Sequence, residues 1–240
     1  MTIPSDASTR PARRPIRVAL VDDQAFVADL VQRALARHPE RFVYIGTAAR
    51  LAGVGALMRE DPADVVLVDY SLPDGRGSDV LRIVRRHWPR ARLILFTGHT
   101  EPDILQEAIA AGADGIVTKG SDIAEMLELI ERAHRGDVLL DAGILRDLMN
   151  QPAAGATRMA ALDRLTPRER VVLEALLATG STQEAARRIG MASATLRVHL
   201  HRVSQKLGAS SRLEAITLAL GAGLIRPPSG DAPPGGRNEP

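Results

Sequence analysis

Hydrophobic and polar positions fall into repeating blocks along the first half of the chain. Short apolar runs, rich in Val and Ile, each close on a polar residue. Ile16 to Val21 precedes Asp22-Asp23, Val65 to Val68 precedes Asp69, Arg92 to Phe96 precedes Thr97, and Gly115 to Thr118 precedes Lys119. A fifth run spans Arg41 to Gly46. Runs this short, separated by helix-length segments, predict parallel strands buried on both faces. The segments between them carry helical stripes. Phe26, Leu30, Val31, Ala34 and Leu35 form one, ended by His38-Pro39. Leu51, Val54, Leu57 and Met58 form a weaker one, because Gly53 and Gly55 each cost about 1 kcal/mol relative to Ala. Val80, Leu81 and Val84 make a helix stopped by Pro89. Ile104, Leu105, Ala108 and Ile109 make another, with Gly112 just past its end. Ile123 to Ala133 is a last helix, with Ser121 as its expected cap and Glu125 in its first turn. Five strands alternating with five helices predict an α/β domain over residues 16–135, built on a five-stranded, doubly wound parallel sheet.

Beyond Arg135 the strand signals cease. Residues 136–162 read as a linker, with a bridging helix around Ala142 to Met149 and an Ala-, Pro- and Gly-rich stretch from Gln151 to Thr157. From residue 163 to 226 the pattern is helical throughout, predicting a small all-α domain. Thr166-Pro167-Arg168-Glu169 is a helix start with a Thr cap, Pro in the first helical position and Glu three residues after the cap. In Ser193 to Leu207 the residues Leu196, Leu200, Val203 and Leu207 share one narrow stripe, the expected buried face, and Ser193 is an expected cap. Ala194, Val198, His201 and Gln205 lie opposite, flanked by Arg197 and Arg202. The preceding helix, Thr182 to Ile189, joins through a short turn at Gly190, a helix-turn-helix layout. Residues 1–15 and 227–240 read as a disordered arm and tail.

Composition changes this picture in three ways. The chain has no Cys, which excludes disulfides, thiolate metal sites and cysteine nucleophiles and suits a cytoplasmic setting. No apolar run approaches the ~18 residues of a membrane span, and no membrane role is expected. The net charge of +2 is unevenly spread: residues 163–226 hold ten Lys and Arg against five Asp and Glu, and the remainder is acidic. Two modules with different partners are expected, the basic one facing a polyanion.

In parallel sheets of this kind the ligand site lies beyond the carboxyl ends of the strands. The strand order therefore gathers Asp22, Asp23, Asp69, Thr97 and Lys119 in one crevice. Two like charges about 4 Å apart repel by about 4 kcal/mol at an effective dielectric of 20, so three carboxylates favour a cation. Mg²⁺ fits, because it takes oxygen ligands and keeps waters while bridging to phosphate. Asp69 could then accept a phosphoryl group as an acyl phosphate, with Lys119 and Thr97 on its oxygens. An aspartyl-phosphate hydrolase is the enzymatic rival; it would need a second Asp where Ser71 stands, and the chain is not expected to be an enzyme.

The motifs Val21-Asp22-Asp23-Gln24, Asp69 with Leu72-Pro73 and Gly75, Thr97-Gly98, Gly112-Ala113-Asp114-Gly115 and Lys119 make residues 16–135 similar to the receiver domain of bacterial two-component response regulators. The resemblance implies a flavodoxin-like sheet of order 2-1-3-4-5. It also implies a phosphoacceptor at Asp69, metal ligation by Asp22, Asp23 and Asp69, a switch hydroxyl at Thr97 and a phosphate-pairing lysine at Lys119. The family often has Tyr or Phe where this chain has Ile116, which puts the usual coupling of hydroxyl to aromatic in question.

The second half resembles a LuxR-type helix-turn-helix through Leu165-Thr166-Pro167-Arg168-Glu169, Gly180, Glu184-Ala185-Ala186, Thr195-Leu196-Arg197-Val198-His199 and Lys206-Leu207. Matching positions imply base contacts by Arg197, Val198 and His201 and phosphate contacts by Thr195 and Lys206, with Arg202 and Gln205 weaker candidates and His199 structural. Arg suits guanine, and an aliphatic group suits the thymine methyl. The last helix, through Leu213, Ile216, Thr217 and Leu220, corresponds to the family's dimer surface, although half of these residues could equally be core. Together the two resemblances imply a NarL/FixJ-like response regulator. A sensor histidine kinase would phosphorylate it, and the active form would be a homodimer on double-stranded DNA. The alternative is a phosphorylation-independent regulator whose receiver is a constitutive dimerisation or protein-interaction module.

Overall fold

The computed structural model describes residues 14–99, 101–119, 122–139 and 165–226. The expected helix at 142–149, the linker stretch 151–157, the tail 227–240 and all of the arm but Arg14 and Pro15 lie outside these residues. Five parallel strands form the central sheet: β1 (Ile16–Val21), β2 (Phe42–Ala48), β3 (Val65–Val68), β6 (Arg92–Thr97) and β7 (Gly115–Thr118). Their order is β2-β1-β3-β6-β7. This is the expected 2-1-3-4-5 arrangement once two short strands, β4 (Ser71–Leu72) and β5 (Gly75–Arg76), are set aside. These two pair as a small antiparallel hairpin that apolar patterning did not predict, since each strand is two residues long and Leu72 alone packs against the core.

Both faces of the sheet are covered, which is why its strands read as continuous apolar runs. Val18 and Leu20 of β1 pack with α1 (Ala25–Ala36) and α5 (Ile123–Arg135) on one face. Ala19 and Val21 pack on the other with α2 (Val54–Leu57), α3 (Gly77–His87) and α4 (Pro102–Ala110). In several places local chemistry departs from the sequence expectation. The second strand runs to Ala48 rather than Gly46, because its pairing with β1 continues to Val21. Phe26 is 76% exposed, and only Val31, Ala34 and Leu35 of the expected stripe are fully buried. The first turn of α1 begins just past the end of β1, with Ala25 and Phe26 exposed and Val27 and Ala28 half-buried against the core. The glycines at 53 and 55 break the second helix into a 3₁₀ turn (Leu51–Gly53) and the four residues of α2. Asp122, not Ser121, caps α5, accepting a bond from the Glu125 N–H at 2.7 Å. Gly112 follows α4 at φ +99°, the left-handed conformation expected there.

The segment after α5 stays packed rather than leaving as a free linker. Gly136 takes φ +88°, and Leu139 bridges to Gly115 at the sheet edge, its carbonyl accepting from Ile116 N–H. Four further helices follow: α6 (Pro167–Thr179), α7 (Thr182–Arg188), α8 (Ser193–Leu207) and α9 (Arg212–Gly221). The predicted capping box at Thr166 and Glu169 opens α6. Ser193 does not cap α8; it is the first helical residue, Ala192 is the cap position, and no side chain bonds the free N–H groups there. Leu213 and Ile216 of α9 are core residues, while Thr217 and Leu220 are half-buried.

The helical module rests against the sheet domain through a defined seam. Val138 N–H donates to the Gly180 carbonyl at 2.8 Å, and Thr182 donates from N–H to Asp137 and from Oγ1 to the Gly136 carbonyl. Arg212 also donates to the Gly136 carbonyl. Helices α4 and α9 touch, and the apolar core on that face is continuous through both modules. Among the described residues no helix is long and apolar enough to cross a membrane.

Two glycines separate backbone effects of opposite sign. A Cβ at Gly77, the start of α3, would lie 2.3 Å from the Asp69 carbonyl oxygen and 2.8 Å from the Tyr70 Cα, both backbone atoms that cannot move aside. A Cβ at Gly55, in α2, meets nothing within 4 Å. Urea unfolding is expected to show Gly77→Ala losing about 1–3 kcal/mol through overpacking. Gly55→Ala is expected to gain about 0.5–1 kcal/mol through lower unfolded-state entropy and better helix propensity.

Candidate functional site

The carboxyl edge of the sheet brings together all three predicted carboxylates. Asp22 and Asp23 follow β1 and Asp69 follows β3, the neighbouring strand, and the Asp69 N–H extends the ladder to the Val21 carbonyl at 2.8 Å. Carboxylate oxygens of Asp22, Asp23 and Asp69 lie within 4.8 Å of one another; Asp22 and Asp69 are buried and Asp23 is exposed. Lys119, after β7, reaches across from the far side of β6. Its Nζ lies 2.8 Å from Asp22 Oδ2 and 2.8 Å from Asp69 Oδ2. The approach to Asp22 leaves that buried Oδ2 without a well-aligned hydrogen bond. Burial pushes the Asp22 carboxyl above its ordinary pKa, against the pull of Lys119 and the Gln24 N–H. For Lys119, burial favours the neutral amine, but the two carboxylates together outweigh it and raise its pKa.

Three carboxylates against one ammonium leave the pocket two negative charges in excess. An under-bonded buried oxygen, a second buried carboxylate and an exposed one open to solvent fit a hard divalent cation that keeps several waters. Mg²⁺ is therefore compatible with the residues present.

Thr97 ends β6 fully buried, and its Oγ1 accepts a bond from the His99 N–H at 3.1 Å. Ile116 sits deeper on β7 at 2% exposure, a core residue. Around the mouth lies a polar group that the sequence did not single out. Ser71 Oγ and His99 Nε2 are 3.0 Å apart, and the rings of Tyr70 and His99 meet edge to face at 5.8 Å. Tyr70 Oη donates to Glu107 Oε2 at 2.9 Å, and Ser78 Oγ donates to Glu107 Oε1 at 2.8 Å. The Ser78 bond leads in holding the Glu107 carboxyl below its ordinary pKa, assisted by Tyr70 and by the Arg76 and Arg82 charges. Only the adjacency of Tyr70 to Asp69 hints at this group in the sequence; Glu107 lies 37 residues away.

On α8 the expected division of faces is present. Leu196, Leu200 and Val203 are buried, while Thr195, Arg197, Val198, His201, Arg202 and Gln205 are exposed. Lys206 is placed differently from the rest: its Nζ binds the buried Glu169 at 2.7 Å, tying the end of α8 to the α6 capping box. Arg197 lines a cleft of about 700 Å³ between the modules, together with Arg92, Arg135, Asp137 and Ser193. Arg212 lies close by. Burial, then the charge of Arg92, with Arg197 adding to it, lowers its pKa to about 10.

Comparison with known proteins agrees with both halves of this geometry. Residues 18–131 match the response regulator receiver domain, and residues 163–219 match the bacterial regulatory proteins of the luxR family. The chain is 33% identical over 208 residues to the probable transcriptional regulatory protein SgaR of Hyphomicrobium methylovorum, covering 87% of this chain and 94% of that protein. It is 32% identical over 219 residues to the DNA-binding transcriptional activator DevR/DosR of Mycobacterium tuberculosis, covering 91% of this chain and 100% of that protein. Among solved structures, a two-component response regulator of the LuxR family from Aurantimonas is 33% identical, with a TM-score of 0.50, covering 55% of this chain and 94% of that one. An RcsB response regulator from Salmonella typhimurium, at 20% identity and a TM-score of 0.51, covers 82% of this chain and 94% of that one and bears on the fold alone. The chain belongs to the response regulators, transcriptional regulators that join a receiver domain to a LuxR-type DNA-binding helix-turn-helix.

Proposed function

We propose that this regulator is switched by phosphorylation of Asp69 and that the switch governs dimerisation and sequence-specific DNA binding. The observation that carries the reading is the meeting of Asp22, Asp23, Asp69 and Lys119 at one sheet edge. A sensor histidine kinase is the phosphoryl donor. An Asp69 carboxylate oxygen attacks phosphorus, the bond from phosphorus to the donor's imidazole nitrogen breaks, and an acyl phosphate remains on Asp69. Asp22, Asp23 and Asp69 would hold Mg²⁺, which when bound would supply charge neutralisation for this transfer. Lys119 exchanges one carboxylate partner for a phosphoryl oxygen, and the Thr97 hydroxyl donates to another. The reaction modifies the chain itself and turns over no free substrate, in keeping with a cytoplasmic regulator rather than an enzyme.

The output surface is the exposed face of α8. Arg197, Val198 and His201 read base edges, and Thr195 contacts phosphate. Lys206 is a weaker phosphate contact, since Glu169 already holds its ammonium. Arg197 faces the cleft beside Arg92, so the modules must part before it can enter a major groove. One helix-turn-helix offers few contacts, and two copies on half-sites about one helical turn apart are the expected binding unit. A second reading, a constitutive receiver that dimerises without phosphate, is favoured by one observation. Ile116, where an aromatic often reports the switch, is sealed in the core.

Two measurements test the proposal. With acetyl phosphate and Mg²⁺, intact mass should rise by about 80 Da, one phosphoryl group, and Asp69→Asn should abolish the gain; equal gain by the variant would overturn the assignment. In binding to a duplex selected from a random library by the full chain, affinity should fall steeply with salt, with a log–log slope of about −0.9 per phosphate contact. Arg197→Ala should cost about 1–3 kcal/mol at one base position and relax preference there, whereas Lys206→Ala should weaken all sequences alike. Binding indifferent to salt would exclude the proposed interface.

A further inference from the structure

We propose that Tyr70 and Glu107 are positioning residues that relay the state of the Thr97 hydroxyl to α4, and through α4 to the DNA-binding module. The inference rests on the reading of Asp69 as phosphoacceptor for its biological trigger, but the relay itself is a property of the unmodified chain.

The links are continuous. Thr97 Oγ1 accepts the His99 N–H at 3.1 Å, which fixes the start of the loop leading to α4. The His99 ring stands against the Tyr70 ring, and its Nε2 is 3.0 Å from Ser71 Oγ. Tyr70, directly after Asp69, hands the contact on through its hydroxyl to Glu107 at 2.9 Å. Glu107 is half-buried on α4 and is also gripped by Ser78 at the start of α3. The helix it belongs to touches α9, and Leu105, Ala108 and Ile109 share an apolar cluster with Leu213, Ile216 and Ala219.

Thr97 makes this chain two-valued. A β-branched side chain occupies discrete staggered rotamers, so its hydroxyl moves in one step rather than by degrees. An anion on Asp69 that draws Oγ1 toward itself takes the acceptor from His99 N–H. The half-buried amide then has no partner in its old place, and such a group is costly enough to move the backbone that carries it. The Tyr70 ring follows the imidazole, and its hydroxyl bond to Glu107 is strained or lost. Ile116, the packed β7 residue opposite Leu95, has no polar atom with which to take part.

A purely structural role for the Tyr70–Glu107 bond would make its loss independent of Thr97, and a double-mutant cycle separates the two. The readout is hydrogen exchange of the α4 amides, residues 103–110, in the full-length chain with Mg²⁺ and no phosphodonor. Thr97→Val removes the acceptor while keeping the shape, and should speed α4 exchange about 5-fold or more, the low end of ordinary site-to-site coupling. In the Tyr70→Phe background, which keeps the ring and removes the hydroxyl, the same substitution should leave α4 unchanged. Glu107→Ala should behave as Tyr70→Phe does, and serves if that variant does not fold. An equal effect of Thr97→Val in all backgrounds would overturn the relay. A second arm adds acetyl phosphate and follows intact mass beside exchange. Tyr70→Phe should gain the same phosphoryl mass as wild type but lose the α4 response; a full response in Tyr70→Phe would also overturn the proposal. If wild type gains no mass, phosphorylation fails as the trigger, and the hydroxyl-deletion cycle still decides the relay.

Discussion

Lys119 and three carboxylates share a pocket that cannot neutralise itself, and much of the molecule is arranged around that imbalance. Adjacent parallel strands β1 and β3 deliver Asp22, Asp23 and Asp69 to one edge because parallel strands all end in the same direction. The like charges tolerate this only because Lys119 is brought from the far side of β6 and Asp23 remains in water. The remaining deficit is the chemical opportunity. A buried Asp22 oxygen without an aligned donor, its carboxyl pushed upward by burial, is the kind of group that a hard cation satisfies. Gly77 supports the same pocket from below, since only a residue without Cβ lets α3 begin against the Asp69 carbonyl.

The seam between the modules is of a different kind. It rests on backbone hydrogen bonds at Gly136, Val138 and Gly180, on Thr182, and on apolar contact between α4 and α9. Charge works against it: Arg92, Arg197 and Arg212 converge there, and the lowered pKa of Arg212 reflects burial beside like charges. Asp114 absorbs part of this through Arg85 and Arg92. A seam with good short-range bonds and unfavourable long-range charge is suited to separating. Arg197 sits there beside Arg92 and Arg212, and opening the seam relieves it of two neighbouring guanidiniums.

Particular residues mark where sequence reasoning held and where it did not. Thr166 and Glu169 form the predicted capping box, because both partners lie within one turn and no distant contact competes. Ser193 was expected to cap α8 on the same logic, yet the helix starts one residue earlier and Ala192 stands in the cap place. Phe26 matched a helical stripe but faces solvent, because periodicity cannot say whether a layer lies beneath that turn. Lys206 matched a phosphate-binding position but is held by Glu169, 37 residues earlier in the chain.

The amino-acid sequence by itself determined the two modules, the strand ends and the meeting of Asp22, Asp23, Asp69 and Lys119 at one sheet edge. These follow from local pattern: apolar runs of strand length, the polar residues that end them, and the rule that parallel strands open on one edge; the order of the strands came from the resemblance to the receiver family. The tertiary structure alone decided the contacts between segments remote in sequence. The Tyr70–Glu107 bond, the contacts of Gly136, Asp137 and Val138 with the helical module and the sharing of one cleft by Arg197 and Arg92 depend on where the helices come to rest. Nothing in the local pattern marks these residues as partners, and only the closure of the fold brings such distant segments together.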